Sequence, residues 1–312
     1  MILCSGESLI DMIGEDGKGI MDSEYFKARI GGSPLNCAVG LSRLGVNTFF
    51  LTKVGNDYFG KKIKQFLISE KINPDYIFMD EQNKTTLAFI SLSEKKIPEY
   101  DFYRNNTADK NITKKELEKI NIDDIEMFHV GSLALIDGNT AKNLSEFFLQ
   151  IEKKGKITSL DPNVRSNLIK NHDEYKRRLF EMMKKATILK LGEDDLKYFD
   201  PNISFKSFVK NFKREEKLTI LTLGERGSIA FYKNKFFEVE ALKLRKVVDT
   251  TGCGDAFMSG ILYKYYEFGL KKDLSNENVY EMLNFASKIA GIVATRYGGA
   301  SSMPMKSEVE NF

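Results

Sequence analysis

The segment VVDTTGCGDAFMSG, residues 247–260, places one carboxylate directly after a loop of glycine and hydroxyl residues. The apolar residues after Asp255 recur at helical spacing, which predicts a helix with Asp255 in its first turn; they are Phe257, Ile261, Leu262, Tyr265 and Phe268. An aspartate there can be a simple helix cap, worth about 0.3–1 kcal/mol. It can also be a base beside an anion, because the amides of Gly252, Cys253 and Gly254 would face a negative charge at the helix N-terminus. These residues alone leave both interpretations open.

A second polar cluster lies in RIGGSPLNCAVGLSRLGVNTFFLTKVG, residues 29–55. Gly31 and Gly32 allow backbone conformations and close approaches that a side chain would block. A helix is predicted from Gly32 through Leu44, with Asn36 on its first turn, where its amide could hydrogen-bond a polar ligand. A plain tight turn followed by a helix accounts for this segment equally well.

Several other kinds of catalytic site are disfavoured. The only histidines, His129 and His172, are far apart and lack metal-ligand spacing. The sequence contains no Gly-x-x-x-x-Gly-Lys-Ser/Thr loop and no Gly-x-Gly-x-x-Gly after a predicted strand. Catalysis would therefore depend on carboxylates and backbone amides.

The composition of the 312 residues is that of a globular enzyme, with 42% hydrophobic and 29% charged residues, a net charge of +3 and a mean hydropathy of −0.32. Charges of both signs alternate, as in KREEK at residues 213–217, which gives little support to a nucleic-acid partner. No apolar run is long enough to span a membrane, and the amino terminus is typical of a buried strand and not of a signal peptide. Three cysteines without a Cys-x-x-Cys pair favour a reducing cytoplasm.

Predicted strands and helices alternate from residue 124 onward, which indicates a parallel sheet with helices on both faces. Ligands bind such sheets at the carboxyl ends of the strands, where Asp161, Asn163, Glu193, Gly224 and Gly227 are found. Earlier in the chain, TTLAFISLS and EYDFYRN predict an antiparallel hairpin that turns at EKKIP. We therefore predict a single domain over residues 1–312 with a small β lid formed by about residues 12–30 and 84–108.

Both clusters resemble signatures of the ribokinase-like (PfkB) carbohydrate kinases. The first signature is matched by the spacing of Gly31, Gly32, Pro34, Asn36, Ala38, Gly45 and Gly55, and the second by DTTGCGDAFMSG. The resemblance extends from GESLIDMI near the start to ATRYGGASSMP near the end. Cys253 is a departure, since alanine or glycine is usual, but a loop that binds through its amides tolerates a small side chain. The resemblance implies a three-layer α/β/α domain with a mainly parallel sheet and a small β-strand lid.

The resemblance also assigns roles to the residues of DTTGCGDAFMSG. It implies that the Asp255 carboxylate accepts the proton of an attacking sugar hydroxyl, a contribution of about 10²–10⁴-fold to the rate. The amides of Gly252, Cys253, Gly254 and Asp255 would form the anion hole for the phosphoryl group that ATP donates.

Nucleotide and cation sites are implied by the same resemblance. KLGE, residues 190–193, stands where relatives have Asn-x-x-Glu; Glu193 would organise Mg²⁺ through water, and Lys190 replaces the asparagine. The expected ATP-binding residues are Asn163, Lys190, Thr222, Gly224, Gly227, Gly252, Gly254 and, in the adenine pocket, Asn284. Potassium-activated relatives imply a K⁺ site formed by Asp249, Thr251, Val293, Arg296, Gly298 and Ser302.

The acceptor is expected to be a sugar bound by Asp11, Gly31, Gly32, Asn36, Arg104 and Arg165. The segments GESLIDM, TTLAF, FYRNNTAD, FHVGS and DPNVR look most like bacterial fructokinases, which implies phosphorylation of fructose at its 6-hydroxyl. A 2-keto-3-deoxygluconate kinase, another PfkB sugar or nucleoside kinase and a catalytically silent sugar-sensing protein are the alternatives. As in many relatives, the lid is expected to form a homodimer interface.

Overall fold

The computed structural model describes residues 1–15, 17–92, 98–271 and 273–312. Most of the turn predicted at EKKIP falls in residues 93–97 and so lies outside the described residues. Within the described part, no helix is long and apolar enough to cross a bilayer.

A nine-stranded sheet forms the centre of the molecule, in the order β13-β12-β11-β10-β9-β8-β1-β4-β5. Every pairing from β5 to β11 is parallel, and β12 and β13 add an antiparallel hairpin at one edge. Its strands are β1 (Ile2–Ser5), β4 (Thr48–Gly55), β5 (Ile77–Asp80), β8 (Met127–Gly131), β9 (Ile157–Asp161), β10 (Ile188–Gly192), β11 (Leu218–Thr222), β12 (Ser228–Tyr232) and β13 (Lys235–Val239).

Helices cover both faces of this sheet, as predicted. They are α1 (Ser33–Arg43), α2 (Tyr58–Ser69), α3 (Lys114–Leu117), α4 (Gly138–Lys153), α5 (His172–Lys185), α6 (Glu193–Phe199), α7 (Phe205–Asn211), α8 (Cys253–Glu267), α9 (Asn276–Ala294) and α10 (Lys306–Asn311). Alternate strand residues enter two separate cores, so that Ile188 packs with α1, α8 and α9 whereas Leu189 packs with α4, α5 and α7. Strands buried on both faces explain the continuous apolar runs of the sequence.

A second, four-stranded sheet has the order β3-β2-β6-β7. Its strands are β2 (Leu9–Ile13), β3 (Lys27–Gly31), β6 (Thr86–Leu92) and β7 (Pro98–Tyr103). The predicted β6–β7 hairpin is confirmed, and β2–β3 is a second antiparallel pair, but β2 and β6 pair in parallel. The small sheet is therefore mixed.

Close packing between α1 and α8 brings the two sequence clusters together. A methyl group on Gly40 would lie 2.6 Å from Oγ of Ser259, so a larger residue in α1 would push the helices apart. The helices predicted near residues 32–44 and 255–269 are observed within two residues of those limits. The short elements β5, α3, α6 and α10 were not predicted, because segments of four to seven residues carry little periodic signal.

Candidate active site

Asp255 lies in the first turn of α8 and is only 8% exposed. Its Oδ1 accepts a hydrogen bond from the Ser33 hydroxyl at 2.6 Å, and its Oδ2 accepts one from Nδ2 of Asn36 at 2.8 Å. Burial raises the pKa of Asp255 above its ordinary value, and the nearby charge of Asp161 raises it further. The two hydrogen bonds oppose this shift. A carboxylate so held is a stronger proton acceptor than one in water.

The loop before α8 presents free amides to the same region. Gly252 has a φ of 83°, a left-handed conformation that favours glycine, and no side chain caps the helix. Among the described residues, the amides of Gly252, Gly254 and Asp255 have no acceptor, whereas the Cys253 amide donates to the Thr250 carbonyl at 3.1 Å. The predicted anion hole thus retains three free donors of its four.

The small sheet contributes Asp11 from β2. Gly31 on the adjacent strand β3, where it pairs with Leu9, leaves space for this carboxylate, since a methyl group there would lie 2.1 Å from Oδ2 of Asp11. Burial raises the pKa of Asp11 to about 7, with a further increase from the charge of Asp255. Asp11 therefore lies close enough to Asp255 for the two negative charges to repel each other.

The turn into α1 is fixed by Glu7, which the sequence did not indicate. A methyl group on Gly32 would lie 2.4 Å from the Glu7 carbonyl oxygen, and the Glu7 carboxylate accepts the amides of Ser33 and Ala134, each at 3.2 Å. Burial raises the pKa of Glu7 to about 7. This packing places Ser33 and Asn36 against Asp255.

Beneath Asp255, the Lys190 ammonium pairs with Oδ2 of Asp161 at 2.7 Å, and both side chains are buried. The Oδ1 of Asp161 and the Oδ1 of Asn36 are buried and have no partner among the described residues. Asp195 lies next to this pair and accepts the amides of Val164 and Gly192. The sequence places Asp161 at a strand end without indicating that it pairs with Lys190, and Asp195 has no distinctive local signal, since it is one of many acidic residues after a strand.

The residues predicted on the nucleotide side line adjacent strand ends. Gly192 pairs with Thr222, and Gly224 and Gly227 follow with φ of 59° and 96°. Glu193 begins α6 and pairs with Arg226 of the same loop at 2.5 Å, on the surface. Asn163 adopts a left-handed φ of 42°, and the exposed Arg165 contacts only carbonyl oxygens of its own loop.

Two predicted contacts take a different form in the structure. Arg104 is 8% exposed and donates to Asp109 at 2.7 Å, to Asp137 at 3.0 Å and to the Leu133 carbonyl at 2.9 Å. Three of its five N–H donors are thus already used by the protein, and it is not the free guanidinium that its sequence position suggests. Asn284 is exposed on α9 and donates to the Tyr280 carbonyl, so its adenine contact remains a prediction.

The predicted K⁺ ligands converge on the loop after α9. Asp249 accepts the amides of Thr251 and Gly298, each at 2.9 Å. A methyl group on Gly298 would lie 2.7 Å from the Thr251 carbonyl oxygen and 2.8 Å from Oδ2 of Asp249, so these two oxygens lie close to Gly298. The other predicted ligands are linked to one another by hydrogen bonds. The Val293 carbonyl accepts the Arg296 amide, and the Arg296 side chain donates to the Ser302 carbonyl. One carboxylate with neutral oxygens suits a monovalent cation. No group of three or more His, Cys, Asp or Glu residues in the described ranges could hold a metal ion.

Known proteins similar to this chain include carbohydrate kinases. The model of a family described as pfkB family carbohydrate kinase matches residues 1–306. The chain is 32% identical to the probable fructokinase-6, chloroplastic, of Arabidopsis thaliana, over 99% of the chain and 81% of that protein. It is 30% identical to fructokinase-1 of Zea mays, over 99% of the chain and 96% of that protein. The crystal structure of a fructokinase with bound ATP from Xylella fastidiosa superposes with a TM-score of 0.90 at 27% identity, covering 99% of this chain and 97% of that one.

The burial of Asp11 leads to a stability prediction. Because its folded-state pKa is about 7 and its ordinary value is 3.8, charged Asp11 destabilises the fold as the pH rises from about 4 to 7, and the cost persists above that pH. Asp11→Asn removes this charge, so its free energy of unfolding should exceed that of the wild type by at least about 1 kcal/mol at pH 8. The two proteins should converge near pH 4. Urea titrations across this range measure both values.

Asp101→Asn, an exposed change on the same small sheet, is the control and should leave the pH dependence of stability unchanged. An Asp11→Asn protein less stable than wild type at pH 8 would contradict the prediction.

Proposed function

The chain belongs to the pfkB family of carbohydrate kinases, and we propose that it transfers the γ-phosphate of ATP to the 6-hydroxyl of fructose. The observation that supports this most strongly is the position of Asp255, a buried carboxylate held by Ser33 and Asn36 beside the free amides of Gly252 and Gly254. The Asp255 carboxylate can accept a proton, and the neighbouring amides can hold an anion. Phosphoryl transfer to an alcohol needs a proton acceptor and an anion site side by side.

In the proposed reaction, the sugar hydroxyl donates a hydrogen bond to the Asp255 carboxylate. As the hydroxyl oxygen forms its bond to the γ-phosphorus, its proton passes to Asp255, and the bond from the γ-phosphorus to the bridging oxygen breaks to release ADP. The amides of Gly252, Gly254 and Asp255 stabilise the charge on the transferring group. Ser33 and Asn36 keep the carboxylate oriented throughout.

The charges around the acceptor favour a neutral sugar. Asp11 and Asp255 present two carboxylates that need hydrogen-bond donors, which sugar hydroxyls supply. Arg104, the cation that would attract a sugar acid, is held by Asp109 and Asp137. The carboxylate of a sugar acid would meet these like charges, so fructose is preferred over 2-keto-3-deoxygluconate.

Two cations are part of the proposal. Glu193, beside the loop of Thr222 to Gly227, offers a carboxylate that would hold Mg²⁺ through water. Mg²⁺ would neutralise charge on the ATP phosphates. K⁺ would be held by the Asp249 carboxylate and its neighbouring carbonyl oxygens, and would make the loop before α8 more rigid.

The small sheet is proposed to pair with its counterpart in a homodimer. Met21, Tyr25, Tyr100 and Tyr103 on or beside this sheet are between 52% and 98% exposed. Large exposed apolar side chains on a four-stranded sheet favour burial against a partner. A cytoplasmic location is proposed from the three free thiols, Cys4, Cys37 and Cys253.

Replacing the base tests the mechanism. Asp255→Ala should lower kcat by at least about 10²-fold, because it removes the proposed acceptor of the hydroxyl proton, while the affinity for ATP changes little. Steady-state kinetics and calorimetric titration with ATP measure the two effects. Cys253→Ala is the matched control in the same loop and should retain turnover, since it leaves every backbone amide of the loop in place and the Cys253 amide is already bonded to the Thr250 carbonyl. Retention of most activity by Asp255→Ala would reduce Asp255 to a helix cap.

The choice of sugar is tested by competing substrates. The kcat/KM of the wild type for fructose should be well above that for 2-keto-3-deoxygluconate. A substrate that lacks the matching hydroxyl groups would leave the carboxylates of the site without hydrogen-bond donors, which weakens its binding. Asp11→Ala should reduce fructose turnover far more than it reduces uncoupled ATP hydrolysis. A wild-type preference for the acid sugar would replace fructose as the assigned substrate.

The K⁺ site is tested with paired salts. Activity in KCl should exceed that in NaCl at equal ionic strength, and KCl should raise the melting temperature more than NaCl does. Asp249→Asn should remove both differences, because it removes the charged ligand. Equal responses of the wild type to both salts would rule out a specific K⁺ site and leave the kinase assignment intact.

A further inference from the structure

Glu7 lies where the chain passes from the central sheet to the small sheet, between β1 and β2, and it is 1% exposed. Its carboxylate accepts backbone amides from two other segments, that of Ser33 at the start of α1 and that of Ala134 in the short 3₁₀ helix Ser132–Leu135, each at 3.2 Å. A carboxylate has two acceptor oxygens and no donor, so it can hold two amides at once. The side chain therefore connects the junction of the two sheets to α1.

The α1 side of this connection leads to Asp255. The hydroxyl of Ser33 donates to Oδ1 of Asp255 at 2.6 Å, and the amide of the same residue donates to Glu7. Burial raises the pKa of Asp255, and the Ser33 hydrogen bond opposes that rise because it stabilises the charged form. The placement of Ser33 therefore affects both the orientation of the proposed base and the pH at which it ionises.

The other side of the connection leads to the lid. Arg104, which follows β7 of the small sheet, donates from Nη2 to the Leu133 carbonyl at 2.9 Å. That carbonyl and the Ala134 amide belong to one planar peptide group, so Arg104 binds its oxygen and Glu7 binds its nitrogen. Hydrogen bonds in such a series strengthen one another. A continuous path of hydrogen bonds thus runs from the lid to Asp255.

Fold stability alone gives a weak account of a carboxylate at this position. Burial raises the pKa of Glu7 to about 7, which means that its charged form is unfavourable there. Backbone hydrogen bonds and the charge of Arg104 offset this effect only in part. Arg104 forms its ion pairs with Asp109 and Asp137 and not with Glu7. A group that is unfavourable for stability and that contacts two distant segments is better explained by what it positions.

We propose that Glu7 is a positioning residue that couples the attachment of the lid to the orientation of Asp255. The inference rests on the proposed kinase function. Glu7 takes no part in proton transfer and binds no substrate; it holds the Ser33 amide so that the Ser33 hydroxyl stays on Asp255. Arg104 supports it from the lid by fixing the peptide group that Glu7 also binds. Detaching the lid from this peptide group therefore loosens Ser33 and weakens one hydrogen bond to the base.

The first test removes one acceptor oxygen of Glu7. Glu7→Gln keeps the size of the side chain but can accept only one of the two amides, so kcat should fall by about tenfold. The affinity for ATP should change little. Because the Ser33 hydroxyl then holds Asp255 less well, the pKa of Asp255 should rise and the acid limb of the kcat profile should move to higher pH. The loss of kcat should be at least about threefold greater on the acid limb than on the plateau.

A second readout needs no sugar. Carbon-13 NMR follows the titration of the Asp255 carboxylate in the free protein, with its signal assigned by its loss in Asp255→Asn, and Glu7→Gln should raise the pKa of Asp255 there as well. Arg104 is the charged group that faces Glu7. The other ionisable groups that face Asp255 are unchanged in the variant; they are Asp11 on β2, Cys37 on α1, Asp161 on β9, Lys190 on β10 and Cys253 on α8.

Double-mutant cycles test the path on either side of Glu7. Ser33→Ala removes the hydroxyl and keeps the amide, so adding Glu7→Gln to it should lower kcat by less than about threefold more. On the lid side, Arg104→Met with Asp109→Asn removes the bond to the peptide group and leaves no unpaired charge at Asp109. This pair should reproduce the loss of about tenfold and the change of the acid limb, and Glu7→Gln should again add less than about threefold. Should Glu7→Gln prove too unstable to assay, the lid-side pair combined with Ser33→Ala tests the same path.

The matched control acts on the other end of α1. Glu70 accepts hydrogen bonds from Arg43, in the last turn of α1, on both carboxylate oxygens, each at 2.7 Å, and both side chains are 13% exposed. Glu70→Gln should lower the melting temperature and leave both kcat and the acid limb as in the wild type. The same change of the acid limb in Glu70→Gln would overturn the role of Glu7, since any damage to α1 would then produce it.

The outcomes separate this inference from the proposed function. Kinetics are measured with whichever sugar the wild type phosphorylates fastest, so a preference other than fructose would overturn the substrate assignment and leave the Glu7 test in place. Wild-type kcat in Glu7→Gln, a loss that is equal at every pH, or losses that multiply in either cycle would overturn the role of Glu7. An unchanged NMR titration of Asp255 would also overturn it, whether or not the wild type phosphorylates a sugar.

Discussion

The buried carboxylate of Asp255 is the constraint on which the arrangement of the site depends. An isolated carboxylate at this depth would be strongly destabilising, and two hydrogen bonds from α1 together with the amino-terminal end of α8 make it tolerable. Those donors come from a helix more than 200 residues away in the sequence, and they reach Asp255 only because Gly40 lets α1 and α8 pack closely. The position and hydrogen bonding of Asp255 therefore depend on the contact between the two helices.

The two sheets position the other polar side chains of the site. The central sheet ends its parallel strands along one edge, so Asp161, Lys190 and Thr222 arrive on adjacent strands without help from long loops. The small sheet brings Asp11 over that edge and keeps Arg104 bound to the body through Asp137. These polar groups would destabilise the apolar core, and at the sheet edge they lie where a bound substrate can form hydrogen bonds with them.

The sequence predicts the repeating elements and the chemistry of the two glycine-rich segments, because both depend on local spacing. Long helices and the helical position of Asp255 follow from apolar periodicity, and Asn36 follows from its place after a glycine turn. Contacts between distant segments do not. Nothing near Ser33 indicates a bond to Asp255, and nothing near Arg104 shows that Asp109 and Asp137 occupy its donors. Glu7 likewise resembles any acidic residue beside a strand, and nothing near Asp161 indicates that it pairs with Lys190.

The distribution of charge across the site accounts for two very different substrates in one cleft. On the acceptor side, the carboxylates of Asp11 and Asp255 would accept hydrogen bonds from a neutral molecule rich in hydroxyl groups. On the donor side, the free amides and the buried ammonium of Lys190 would provide positive potential for the phosphates of the proposed ATP. Asp255 lies between these two groups of residues. In the proposed reaction, the proton that Asp255 accepts leaves the oxygen that attacks the phosphorus, and the resulting negative charge lies next to the groups that would stabilise it.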